Sequence, residues 1–144
     1  MIVINASPGR DYDKRLWNPT NIVHVVDYVM GANGNESVSF VGTNDQRLYA
    51  DVIIENCYFK NDITNLCGNT TISQLGVLVR DATLVITVNT MPMHLASALN
   101  VPFVAIVDAT SAEVVAHPNV RRVIMPCTVD EVMEAVEGVL NVEQ

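Results

Sequence analysis

Apolar residues along the chain fall into short runs separated by amphipathic stretches. Runs at residues 2–5, 38–41, 63–66, 84–88, 103–107 and 123–125 are rich in Val, Ile and Phe. They are too short for helices, so they predict six strands. Between them apolar positions recur at helical spacing. Ile22, Val25, Val26, Val29 and Met30 mark one face of a helix that Asn18 caps, Pro19 opens and Gly31 stops. A weaker helical pattern, Leu48 and Val52 with Tyr49 and Ile53, covers residues 45–56. Thr71-Ile-Ser-Gln74 and Thr128-Val-Asp-Glu131 both read as capping boxes. The first opens a helix carrying Leu75, Leu78, Val79 and Ala82. The second opens one with the stripe Val129, Val132, Met133, Val136, Val139 and Leu140. A short helix is predicted over residues 92–99, with Asn100 as its left-handed cap.

Strands and helices alternate throughout. That pattern predicts an α/β fold: a doubly wound, mostly parallel six-stranded sheet with helices on both faces, in one domain spanning residues 1–144. In such a sheet with strand order 3-2-1-4-5-6, ligands bind beyond the carboxyl ends of strands 1 and 4.

Composition supports buried strands. The chain is 49% hydrophobic and 17% charged, against a usual charged share of about 25%. The net charge of −8 argues against nucleic-acid binding. Four of the sixteen acidic residues, Asp130, Glu131, Glu134 and Glu137, lie in the final helix, an expected solvated face. Cys57, Cys67 and Cys127 form no C-x-x-C pair, which fits a reducing compartment. His24, His94 and His117 lack metal-ligand spacing, so no metal site is expected. No apolar run is long enough to span a membrane, and residues 1–10 lack a leader pattern; a cytoplasmic location is the expectation. There is no G-x-G-x-x-G after a strand, no Walker lysine and no G-x-S-x-G, so no cofactor is expected.

Candidate chemistry clusters after strands 1 and 4. The loop after strand 1 carries Arg10, Lys14 and Arg15, the densest basic cluster of the chain. After strand 4 comes Asn89-Thr90-Met91-Pro92-Met93-His94 at a helix start. Helix N-termini present unpaired N–H groups and positive partial charge, which favours a phosphate or carboxylate. Lys14 suits a diphosphate, or is a surface lysine. Thr90 can bond a phosphate, or simply cap the helix. His94 can donate to a ligand oxygen, or bond a backbone carbonyl.

At these residues the sequence resembles the C-terminal, donor-binding half of glycosyltransferase family 9, the ADP-heptose heptosyltransferases of lipopolysaccharide core synthesis. The resemblance runs through Lys14-Arg15-Leu16-Trp17 with Asn18-Pro19, then Val41-Gly42, then Asn65-Leu66-Cys67-Gly68 before the capped helix. It ends in the run from Ala82 to Pro102, where the family reads D-T/S-G-x-x-H-L-A-A-A-L-x-x-P. The resemblance implies a Rossmann-like half of a GT-B glycosyltransferase. It also implies a nucleotide sugar of ADP-sugar type held by Lys14, Thr90 and His94, with Asn89 and Met91 at flanking motif positions. Asn89 stands where the family has aspartate, and Met91 where it has glycine. The acceptor half, which carries the proposed base, has no counterpart here. Two functions stay open: donor binding with transfer only alongside a second domain or chain, and a non-catalytic remnant that acts through self-association or a partner protein. A receiver or flavodoxin-like module is a third option, without the expected acidic cluster or flavin phosphate loop.

Overall fold

The structure, a computed structural model, describes residues 1–5, 19–32, 36–88, 91–107, 120–124 and 128–142. Its strands are β1 (Ile2–Asn5), β2 (Val38–Phe40), β3 (Ile63–Asn65), β4 (Leu84–Val88), β5 (Phe103–Val107) and β6 (Val120–Ile124). They form a six-stranded sheet in the order β3-β2-β1-β4-β5-β6, and every neighbouring pair is parallel. This is the order expected for a doubly wound sheet, with β1 and β4 side by side and Asn5 opposite Thr87.

Among the described residues five α-helices cover the sheet: α1 (Pro19–Ala32), α2 (Arg47–Glu55), α3 (Ile72–Asp81), α4 (Met91–Ala98) and α5 (Val129–Val142). Alternation along the strands decides which layer each side chain joins. Ile2, Ile4, Val38, Phe40, Leu84, Ile86, Val104 and Ile106 pack against α1, α2 and α5. Val3, Val85, Phe103 and Ala105 point the other way, onto Val79 of α3 and Met93 and Ala96 of α4. The predicted apolar face of α1 is buried in full, and Val132, Val136 and Val139 of α5 are buried beside it. The Tyr28 hydroxyl donates to Glu137 and ties α1 to α5. Asn100 ends α4 with φ 59°, the left-handed cap its side chain suits.

Three expectations need correction. Gly31 does not stop α1, which runs on to Ala32. The last strand begins at Val120, three residues before the apolar run; pairing of Val104 with Arg121 and Ala105 with Arg122 carries it through two arginines at the sheet edge. The third concerns α2. Leu48 and Val52 are 78% and 56% exposed, whereas Ala50 and Ile53 are buried. The helix carries two overlapping apolar stripes, and its first residue selects between them. Arg47 Nη1 donates to the Cys67 carbonyl at 2.9 Å, and Asn65 Nδ2 donates to the Arg47 carbonyl at 3.0 Å. These bonds fix the rotation of α2 about its axis.

Cys57 and Cys67 are free and buried. Burial, helped by Asp27, pushes the Cys57 thiol from 9.0 up to about 12. Burial also pushes Cys67 up to about 11, with Asp51 raising it further and Arg47 opposing. Thiolates are the reactive form, so both groups are inert in the folded chain. In a Cys127→Ala variant, a thiol reagent at pH 8 should modify neither until denaturant is added; fast native labelling would contradict this. The unfolded chain gives up these protons at lower pH than the folded one. The stabilisation is therefore full below pH 9.0 and is lost as pH climbs toward about 11 to 12.

Candidate functional site

The carboxyl ends of all six strands face the same side of the sheet. Beyond β1, β2 and β3 lies a cavity of about 390 Å³, lined by residues that follow those strands and by Pro92 near the start of α4. The walls come from four places in sequence. Asn5 ends β1. Gly42, Thr43 and Gln46 belong to the turn after β2. Gly68, Thr70 and Thr71 lead into α3, and Ile72 and Leu75 form its first turn.

Local chemistry explains this construction. The parallel ladder continues past the strand ends: Val41 N–H donates to the Ile4 carbonyl, Leu66 N–H to the Phe40 carbonyl, and Gly68 N–H to the Gly42 carbonyl at 2.8 Å. Gly68 has φ +78°, and a Cβ there would lie 2.9 Å from the Asn44 backbone. Only glycine fits that close approach without strain. Gly42 is also constrained, because a Cβ on it would lie 1.9 Å from Oε1 of Gln46. Thr71 caps α3 through a capping box, with Gln74 N–H donating to its hydroxyl at 3.1 Å and Thr71 N–H donating to Oε1 of Gln74 at 2.9 Å. A matching box at Thr43 and Gln46 shapes the turn before α2.

None of the ten described lining residues is charged, on a chain with net charge −8. Three threonines and two carboxamides offer donors and acceptors, while Ile72, Leu75 and Pro92 supply apolar wall. Such a lining suits an uncharged ring with polar substituents, held by hydrogen bonds and burial. Among the described lining residues there is no carboxylate or imidazole able to take a proton from a substrate hydroxyl. Among the described residues no group of three His, Cys, Asp or Glu could hold a metal ion. No described helix is long and apolar enough to cross a membrane.

None of the sequence-predicted site residues is among the described lining of this cavity. Lys14, Asn89 and Thr90 lie outside the described residues, as do Arg10, Arg15, Trp17, Thr110 and Ser111. Met91 opens α4. His94 sits in the first turn of that helix and is exposed, next to the buried Met93 and two residues beyond Pro92 of the cavity wall. The lining residues were missed as a site. The two glycines stood in the motifs, and they were the available signal: each marks a turn that a side chain would obstruct.

A family model described as glycosyltransferase family 9 (heptosyltransferase) matches residues 2–136. The chain belongs to glycosyltransferase family 9. Lipopolysaccharide heptosyltransferase 3 of Escherichia coli is 31% identical over 97 residues, covering 67% of this family 9 chain and 28% of that relative. The fold is that of solved heptosyltransferases. E. coli ADP-heptose lps heptosyltransferase II superposes with a TM-score of 0.88 at 18% identity, over 99% of this chain and 47% of that one. E. coli heptosyltransferase WaaC with ADP-2-deoxy-2-fluoro heptose gives 0.74 at 16% identity, over 99% of this chain and 43% of that one. This family 9 chain therefore spans less than half the length of these relatives.

Proposed function

We propose that this chain is a nucleotide-sugar-binding domain that takes a donor of ADP-sugar type and contributes one wall of a transferase site. The observation that carries the reading is the cavity beyond β1, β2 and β3, bordered by the start of α4, whose described lining is uncharged. Its lining fits the nucleoside end of such a donor. The diphosphate and sugar would then fall to Lys14, Thr90 and His94, with Asn89 and Met91 beside them. These residues follow β1 and β4, the neighbours at the point where strand order reverses. The solved WaaC complex, of the same fold, carries ADP-2-deoxy-2-fluoro heptose. Sugar transfer would use a base from a second domain or chain, because the described lining of the cavity supplies none.

Calorimetric titration with ADP, UDP and an ADP-sugar tests this. ADP should bind with a Kd below about 1 mM, which corresponds to roughly 4 kcal/mol, and an ADP-sugar at least as tightly. No heat with any of the three would remove the proposal. Met91, where the family has glycine, favours a second reading in which donor binding is lost and the domain acts through self-association or a partner protein. Absence of nucleotide binding together with a dimer in light scattering would select it.

A further inference from the structure

The Gln46 side chain sets one oxygen at a junction beside the cavity. Its side chain is buried at the end of the turn before α2. Oε1 accepts from Thr43 N–H at 3.0 Å and from Asn5 Nδ2 at 3.4 Å. Asn5 Nδ2 also donates to the Val41 carbonyl at 2.8 Å. The end of β1, the end of β2 and the start of α2 thus converge on one acceptor. The space it occupies is the space a side chain at position 42 would fill, since a Cβ on Gly42 would lie 1.9 Å from Oε1 and 3.1 Å from Asn5 Nδ2. Gly42 and Gln46 are therefore one device, a missing side chain and the carbonyl that fills its place.

We infer that Gln46 is a positioning residue for the donor cavity: its side-chain carbonyl holds the Gly42–Thr43 turn against Asn5 and so fixes the cavity floor. The inference rests on the donor-site reading above. The role is that of an acceptor. Glutamate at position 46 can accept the same two bonds, while methionine keeps the volume and removes the acceptor. Losing such a bond is enough to shift an equilibrium by up to about tenfold.

The test compares Gln46→Met, Gln46→Glu and the unaltered chain by amide hydrogen exchange at Thr43 and by titration with ADP and with uncharged adenosine. Gln46→Met should speed Thr43 exchange and weaken both ligands, each about tenfold. Gln46→Glu should return Thr43 exchange and adenosine binding to within about twofold of the unaltered chain. Gly42→Ala, which pushes a Cβ onto Oε1, should reproduce the faster exchange and covers the case in which Gln46→Met does not fold. Unchanged Thr43 exchange in Gln46→Met and Gly42→Ala would overturn the inference. So would faster exchange with unchanged ligand binding. If the unaltered chain takes up neither ligand, the donor-site reading falls, and Thr43 exchange alone then decides whether the carbonyl holds the turn.

Discussion

Gly68→Ala should destabilise the chain by about 2–5 kcal/mol and weaken nucleotide binding with it. Two costs add. A non-glycine residue in the left-handed region costs about 1–2 kcal/mol, and Gly68 has φ +78°. The new methyl would also meet Asn44 Cα at 2.9 Å. That is backbone, which cannot swing aside, and forcing extra volume into a filled space costs about 1–3 kcal/mol. The strain falls on the Gly68 N–H bond to the Gly42 carbonyl, so both cavity turns should loosen. Gly76→Ala is the internal control. Gly76 lies inside α3 with nothing within 4 Å of its added Cβ. Alanine there should stabilise by about 0.5–1 kcal/mol. Urea melts of the two variants should move in opposite directions; equal shifts would refute the account of Gly68.

The second large effect belongs to Phe40. It is 1% exposed, at the centre of the layer between the sheet and α1, α2 and α5. Phe40→Ala should cost about 3–5 kcal/mol, the lost transfer of the ring plus the void it leaves. Domains have only about 5–15 kcal/mol in total, so this variant should be partly unfolded at modest denaturant. Leu48→Ala, by contrast, should stay within about 0.5 kcal/mol, because that side chain already faces solvent. A comparable loss at Leu48 would mean that this face of α2 is covered.

The Leu48 case shows where sequence reading stops. The alternation of strands and helices was legible because apolar runs are separated by capped helices, and the two threonine boxes at Thr71 and Thr128 sit where the pattern puts them. The strand order was assumed from the doubly wound fold, and the sheet has that order. The face of α2 was not, because its rotation is set by Arg47 bonding carbonyls some twenty residues away. The start of β6 was hidden by Arg121 and Arg122, whose place in the strand comes from pairing with β5. The site divided along similar lines. A search for cations, hydroxyls and imidazoles at helix starts leads to Lys14, Thr90 and His94. It passes over a cavity whose lining is neutral and drawn from four separate stretches of chain. Gly42 and Gly68 were visible as motif letters, yet the reason for each lies in a neighbour distant in sequence or folded back upon it.

The hydrogen bond between Gly68 and the Gly42 carbonyl, with Asn44 pressed against Gly68, has a practical reading for protein engineering. The turns after β2 and β3 fit each other as a key fits one lock. A segment transplanted from a relative to change which nucleotide is accepted would have to bring both turns together. Chimeras that exchange one alone should be the ones that misassemble.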